Sequence, residues 1–254
     1  MRLGIIVAAW GRPEPFRNHL AALIESSGGL SVDYSLGALA SDKESKSLEI
    51  LRCVGWPQSA TITPVDTVKR WPLPLAYNAA LRASEDDIVV VVGADVIVPP
   101  GLLRDALTVA DGKARLYSTH DTSGRVFVGP ERMLAFPYCM AIHRQRLVDI
   151  GGWDEAFADG ICYDDTDLSA RLLISGVRFE WCGDFVCKHQ QHPRYHGYKQ
   201  GKYSARNKKL WEERLNGYKG PLWPVTQARK PKDTDAAQDA LAEGLKAHGY
   251  NHVC

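Results

Sequence analysis

Asp-Ile-Val-Val-Val-Val-Gly-Ala-Asp-Val, residues 87–96, is the stretch that decides the fold. Its uninterrupted apolar run predicts a strand that is covered on both faces, as in a parallel sheet. The run delivers a carboxylate, Asp95, at the carboxyl end of the strand, where open α/β sheets bind their ligands. A carboxylate there suits a divalent metal bound to a diphosphate, because hard cations prefer oxygen ligands.

A second group of acids lies further along the chain, in Gly-Gly-Trp-Asp-Glu (151–155) and Tyr-Asp-Asp-Thr-Asp-Leu-Ser-Ala-Arg-Leu (163–172). The second stretch predicts a helix over residues 164–175 with its acids in the first turn and Gly176 after its end. Acids at a helix start often do no more than complement its dipole. Four acids between residues 159 and 167 exceed what capping requires, so one of them is a candidate general base.

Strands and helices alternate through the first half of the chain, which predicts a mainly parallel sheet with right-handed crossovers. Residues 114–142 differ, because Gly, Asp and Pro break them into short β-rich pieces that predict antiparallel strands or an acceptor-side loop. Strands are predicted at residues 3–8, 32–38, 60–65 and 177–187, and helices at residues 13–24, 43–52, 75–83, 99–109, 204–215 and 233–247.

Four stretches resemble, in order and spacing, the family 2 GT-A glycosyltransferases and the related galactosyltransferase carboxyl-terminal module. They are residues 92–103, 150–157, 163–172 and the His of Val-Cys-Lys-His (186–189), and the resemblance covers roughly residues 3–192. The family's Asp-x-Asp stands here as Gly93-Ala94-Asp95, and its Glu-Asp pair as Asp164-Asp165. The resemblance implies an α/β GT-A (Rossmann-like) fold: a mainly parallel sheet flanked by helices, with a small antiparallel element and a helical C-terminal appendage.

The resemblance also implies a metal-dependent, inverting transfer of a sugar from a nucleotide-diphosphate sugar, expected to be a UDP-sugar, to an acceptor hydroxyl. Asp95 and His189 would hold Mn²⁺ or Mg²⁺, with His192 able to replace His189. Asp165 would be the general base. Asp164, Trp153 and Asp154 would face the acceptor; alternatively, Trp153 is a core residue that anchors its loop.

The same resemblance assigns further residues to the nucleotide-sugar donor. Backbone at the end of the first strand would read the base, Trp10 would stack, and Arg12 would meet phosphate. Helix capping by Asp42, and ordinary polar positions for Asn78 and Arg82, are the alternatives for three of them. The complete donor set is Ala8, Trp10, Arg12, Asp42, Asn78, Arg82, Ala94 and Asp95.

Length and composition fit one large α/β domain or a domain with an appendage, since the 254 residues are 45% hydrophobic. We expect a glycosyltransferase domain at residues 1–192 and a basic, aromatic-rich appendage at residues 193–254. The longest apolar runs fall far short of the ~20 residues that span a bilayer. The first ten residues lack a cleavage site, which favours a cytoplasmic enzyme.

Six scattered cysteines without a Cys-x-x-Cys pair are expected to be free thiols. A structural zinc site is the alternative. Its ligands would be Cys182, Cys187, His189 and His192.

The segment from Arg194 to Lys232 contains eleven Lys and Arg and two Glu, a net charge of +9, against −8 for the rest of the chain. Six aromatic residues interleave with that charge. The segment could hold a polyanion such as hydroxymethylated viral DNA by phosphate contacts and stacking. The alternative is an amphipathic appendage whose aromatic residues pack on the core. A catalytically weak sugar-nucleotide or nucleic-acid binding module is the alternative function, and the sequence leaves the oligomeric state open.

Overall fold

The computed structural model describes residues 1–9, 13–39, 49–50, 53, 60–65, 73–128, 139–192, 200–219 and 234–250. The strands of these residues are β1 (Leu3–Ala9), β2 (Val32–Leu39), β3 (Ala60–Val65), β4 (Ile88–Val92), β5 (Val96–Ile97), β6 (Lys113–Asp121), β7 (Val126–Val128), β8 (Cys139–His143) and β9 (Arg178–His189). The helices are α1 (Pro13–Ser27), α2 (Leu73–Ala83), α3 (Leu102–Ala106), α4 (Arg144–Asp149), α5 (Asp164–Ile174), α6 (Gln200–Leu215) and α7 (Thr234–Ala247), with a 3-10 helix at Glu155–Asp159. The predicted helix at residues 43–52 falls mostly outside the described residues.

The strands form one sheet in the order β3-β2-β1-β4-β8-β6-β9-β5, and β7 pairs with β6. Strands β1 to β4 run parallel to one another. Strand β8 is antiparallel to both β4 and β6, whereas β6 and β9 are parallel. The predicted α/β sheet is therefore confirmed, and so is the antiparallel element within residues 114–142.

Strand β4 lies inside the sheet with cores on both of its faces, and its five residues are all buried. Val90 and Val92 point into the core beneath α1, whereas Val89 and Val91 point into the core beneath α5. This two-residue alternation between two cores explains why the strand sequence is continuously apolar.

The predicted helical appendage consists of α6 and α7. Both helices pack into the core beneath α5, which we call the second core. The buried apolar residues that the appendage adds to this core are Trp211, Leu215, Leu241, Ala242, Leu245 and Tyr250. For Trp211 the packing alternative is confirmed, since its ring meets Tyr250 edge-on at 5.5 Å. No helix among the described residues has the length and apolarity to cross a membrane.

Helix α3 is shorter than predicted, ending at Ala106 instead of near Val109. The hydroxyl of Thr108 donates to the Asp105 carbonyl at 2.7 Å, and a local bond of this kind competes with the helical pattern.

Candidate functional site

Asp95 occupies the turn after β4, at the carboxyl end of that strand. Its side chain is buried, as is Ala94 before it. The Asp95 carbonyl accepts from the Gln190 amide at 2.9 Å, which continues the β5–β9 pairing by one residue. The backbone therefore fixes Asp95 beside the end of β9.

Two histidines from the end of β9 cover Asp95. The distance from Asp95 Oδ2 is 3.4 Å to His189 Nε2 and 3.1 Å to His192 Nε2. Across the described residues, the one group of three or more His, Cys, Asp or Glu whose ligand atoms converge within 4.8 Å is Asp95, His189 and His192. Both histidines thus reach the carboxylate, whereas the prediction from the sequence gave His192 only as a replacement for His189.

The zinc alternative is not supported in the described part of the chain, because neither cysteine joins the two histidines. Three residues between Cys182 and Cys187 form an irregularity where β9 shifts register against β6. Both cysteines are free thiols, as are the described Cys53, Cys139 and Cys162. The free-thiol prediction is therefore confirmed for these five residues.

Helix α1 supports the Asp95 cluster from behind. The buried His19 ring meets the Val96 carbonyl at 2.7 Å, and Asn18 donates to the Gln190 side chain at 2.9 Å. Gln190 in turn donates to the Pro15 carbonyl at 2.7 Å. Burial lowers the pKa of His19 to about 4, against smaller opposing effects of the Val96 hydrogen bond and the Asp95 charge. His19 is therefore a neutral spacer near neutral pH.

The paired acids Asp164 and Asp165 begin α5 and are both buried. Burial is the main cause that raises the pKa of Asp164 to about 6. The pKa of Asp165 is raised well above its ordinary value, first by burial and then by the charge of Asp164. The indole N–H of Trp153 lies close enough to oppose that rise but makes no full hydrogen bond in the described structure. A carboxylate with such a raised pKa is suited to accept a proton.

Trp153 is a buried ring and not an open stacking platform. It is 1% exposed and stacks on Tyr77 of α2 at 4.7 Å. Asn78 holds its backbone from both sides, accepting from the Trp153 amide and donating to its carbonyl, each at 2.7 Å. A side chain at Gly152 would overlap Asn78, and its φ of +73° also favours glycine. Asn78 thus anchors the Gly-Gly-Trp loop in this structure.

Asp154 caps the 3-10 helix, accepting from the Ala156 amide at 2.8 Å, and forms an ion pair with Arg214 of α6. Arg214 also contacts Asp167 at 2.9 Å, and Arg171 contacts Asp167 at 2.7 Å. The pairing of Asp167 and Arg171, four residues apart, is structural. The sequence did not predict Arg214 as the link between Asp154 and Asp167.

The remaining predicted donor residues are placed only in part. Ala8 is buried near the end of β1, packed with Ala76 of α2. Arg82 is exposed, and its Nη1 lies 3.8 Å from Glu155 Oε1. Trp10, Arg12 and Asp42 lie outside the described residues.

Comparison with solved structures identifies the architecture. S. aureus TarS (residues 1–349), solved with UDP-GlcNAc, matches over 97% of this chain and 73% of its own, with a TM-score of 0.67 at 13% identity. The fold is the GT-A glycosyltransferase fold. A mannosyltransferase from Pyrobaculum calidifontis, solved with GDP-Man and Mn²⁺, matches over 97% of this chain and 73% of its own, with a TM-score of 0.58 at 17% identity. No protein-family model and no curated protein matches the sequence.

Proposed function

We propose that this protein is a metal-dependent glycosyltransferase that moves a sugar from a nucleotide-diphosphate sugar to an acceptor hydroxyl with inversion. The observation that carries the proposal is the convergence of Asp95, His189 and His192 at the carboxyl end of β4 in a GT-A fold. That edge is where α/β sheets bind ligands.

The distances from Asp95 to the two histidines suit ligands of one divalent ion, and the three ligand atoms lie within 4.8 Å of one another. Two ligands bound at about 2.1 Å and at tetrahedral to octahedral angles lie roughly 3.0–3.4 Å apart. The two imidazole nitrogens lie 3.1 and 3.4 Å from Asp95 Oδ2. Imidazole suits transition metals, whereas Mg²⁺ prefers oxygen ligands, so the set favours Mn²⁺ over Mg²⁺. When bound, the metal would act as a Lewis acid that neutralises the diphosphate leaving group.

Asp165 is proposed as the general base. One of its carboxylate oxygens would take the proton of the acceptor hydroxyl as the oxygen attacks the anomeric carbon. The sugar–diphosphate bond breaks on the opposite face, which inverts the configuration. Asp164 would raise the basicity of Asp165 by its charge, and the raised pKa of Asp165 supports this assignment.

The donor is proposed to be a nucleoside-diphosphate sugar, with uridine as the expected base. TarS was solved with UDP-GlcNAc and the Pyrobaculum calidifontis mannosyltransferase with GDP-Man, so the fold accommodates both nucleotides. Ala8 and Ala94 would contribute backbone contacts to the donor, while Trp10, Arg12 and Asp42 remain proposed nucleoside contacts. In this proposal Arg82 of α2 acts near the diphosphate, whereas Asn78 contributes by anchoring the Gly-Gly-Trp loop.

A polyanionic acceptor such as DNA is a separate part of the proposal, supported by the exposed lysines of α6. Lys208 and Lys209 already pair with Glu212 and Glu213, at 3.5 and 3.7 Å. Replacing Lys202, Lys208 and Lys209 with Gln should weaken DNA binding and flatten its salt dependence by ~0.7–0.9 in log–log slope per lost contact. No wild-type binding at low salt would exclude this acceptor.

The proposed activity is tested by donor turnover and calorimetry with UDP and Mn²⁺. Asp95→Ala should abolish metal-dependent UDP binding, whereas Asp165→Asn should keep binding and lower transfer by ~10²–10⁴-fold. His143→Ala is the matched control, because His143 pairs with Ile88 at the amino end of β4, whereas Asp95 follows its carboxyl end. Tight donor binding without any hydrolysis or transfer would instead indicate a binding module.

A further inference from the structure

The turn that leads into α5 has an unusual backbone. Cys162 and Tyr163 have φ values of +67° and +71°, a left-handed region that residues with side chains seldom adopt. Asp164 and Asp165 follow immediately, so the direction of the proposed base depends on how this turn is held. Strain of this kind persists only where surrounding structure imposes it.

Asn207 of α6 is the side chain that holds the turn. It is fully buried, and its amide nitrogen donates to the Cys162 carbonyl at 2.9 Å and to the Phe157 carbonyl at 3.0 Å. Its amide oxygen accepts from Arg206 Nη1 at 2.8 Å. The amide nitrogen therefore joins α6 to the loop before α5 at two carbonyls, and the amide oxygen is bonded within α6.

The loop is shaped to receive this amide. A side chain at Gly160 would overlap the Asn207 amide, so glycine allows the close approach. Arg206 also donates to the Ala156 carbonyl at 3.0 Å, and Arg214 pairs with Asp154 and Asp167 on either side of the turn. Helix α6 therefore contacts the segment from Asp154 to Asp167 at several points.

We infer that Asn207 is a positioning residue for Asp165, and that α6 completes the catalytic centre. This inference rests on the proposed function, because it concerns the base of that reaction. Asn207 would act through the Cys162–Tyr163 backbone by fixing the carboxylate toward the acceptor hydroxyl. Displacement of a reacting group by about 1 Å can cost roughly 10²-fold in rate, so a small relaxation of the turn is sufficient.

The chain offers a matched control in Gln238 of α7. This amide is also fully buried and also clamps a backbone, accepting from the Phe179 amide at 2.8 Å and donating to its carbonyl at 2.9 Å. Phe179 lies near the start of β9, at the other end of that strand from His189. Asn207→Asp and Gln238→Glu therefore remove the same kind of donor at two places, one beside the proposed base and one away from it.

The test compares the two variants with the wild type in transfer kinetics and in hydrogen exchange of residues 158–167. We expect Asn207→Asp to lower kcat about 10- to 100-fold with donor KM within about twofold, to move the acidic limb of the pH profile, and to speed exchange in that segment. Gln238→Glu should leave all three readouts unchanged. Equal effects of the two variants, or unchanged kcat and exchange in Asn207→Asp, would overturn the inference.

Two further comparisons keep these outcomes separate. If a carboxyl variant does not fold, Asn207→Ser and Gln238→Ser repeat the comparison without burying a charge. If the wild type neither hydrolyses the donor nor transfers its sugar, the proposed function fails, and with it the role of Asn207 toward a base. Exchange in residues 158–167 then still decides whether Asn207 holds the turn.

Discussion

Asp95 stands alone in a turn where the resembled family carries two acids, and two imidazoles lie beside it. Its position was predictable, because an acid after a buried parallel strand falls at the ligand-binding edge. The joint approach of His189 and His192 was not. In a continuing strand, residues three apart would point to opposite faces, but β9 ends at His189 and the chain brings both rings to Asp95.

At the residue scale, we expect Mn²⁺ to support UDP binding more strongly than Mg²⁺, because two of the three ligands are imidazoles. His192→Ala should lower the affinity for Mn²⁺ about as much as His189→Ala does. Calorimetry with each ion and each variant measures this, with His143→Ala as the control. Equal affinity of wild type and His192→Ala would remove His192 from the ligand set.

The acid pair predicts a pH dependence. Asp165 must be deprotonated to act as a base, and burial raises its pKa well above the ordinary value. The transfer rate should therefore fall as pH is lowered through this raised pKa. Asp164→Asn removes the neighbouring charge and should move the acidic limb to lower pH, but only part of the way, because burial is the larger cause. Rates from about pH 5 to about pH 9 measure the shift.

At the element scale, β1, β3 and α5 could be predicted within one or two residues, because each has a clear apolar pattern and Gly176 marks the end of α5. The turn before α5 could not be predicted in the same way. Neither Cys162 nor Tyr163 has a local preference for positive φ. The Cys162 carbonyl accepts a hydrogen bond from Asn207, which lies more than 40 residues away, so no local sequence pattern indicates this turn.

Helix α5 is fixed to its neighbours through Asp167, which is fully buried. It accepts from Arg171 at 2.7 Å, Arg214 at 2.9 Å and the Tyr250 hydroxyl at 2.6 Å. Asp167→Asn should destabilise the fold by about 3–5 kcal/mol, since it leaves the buried Arg171 guanidinium without its carboxylate, whereas Arg214 keeps its ion pair with Asp154. Urea unfolding measures this loss. Lys208→Gln, which removes an exposed ion pair with Glu212, should cost no more than about 0.5 kcal/mol.

At the scale of the whole molecule, the predicted boundary at residue 192 separates a strand end from helices that enter the second core. The basic composition of residues 194–232 suggested a polyanionic partner. The buried residues of α6 nevertheless recur every four residues, at Asn207, Trp211 and Leu215. That periodicity is the signal from which their packing could have been found.

A chain that ends at residue 192 is therefore expected to lose cooperative unfolding. It would leave the apolar surface under Trp211, Leu241, Leu245 and Tyr250 uncovered. Each such side chain contributes ~1.5–3 kcal/mol, and their sum is comparable with the ~5–15 kcal/mol that stabilises a whole domain. Thermal unfolding, monitored by circular dichroism, measures whether the shortened chain still unfolds cooperatively. A sharp transition close to that of the full chain would show that residues 1–192 fold alone.

Three glycines each lie directly beneath another element: Gly37 below the Ala76 carbonyl, Gly152 below Asn78 and Gly160 below Asn207. In a mutational scan scored by activity, substitutions at these three glycines should lose as much activity as substitutions of the proposed catalytic residues, although a glycine has no side chain that could react. Scoring the same library for the amount of folded protein would separate the packing glycines from the catalytic residues, because only substitutions at the glycines should also lower that amount. Libraries intended to change sugar or acceptor preference should keep these glycines fixed and vary side chains that line the site.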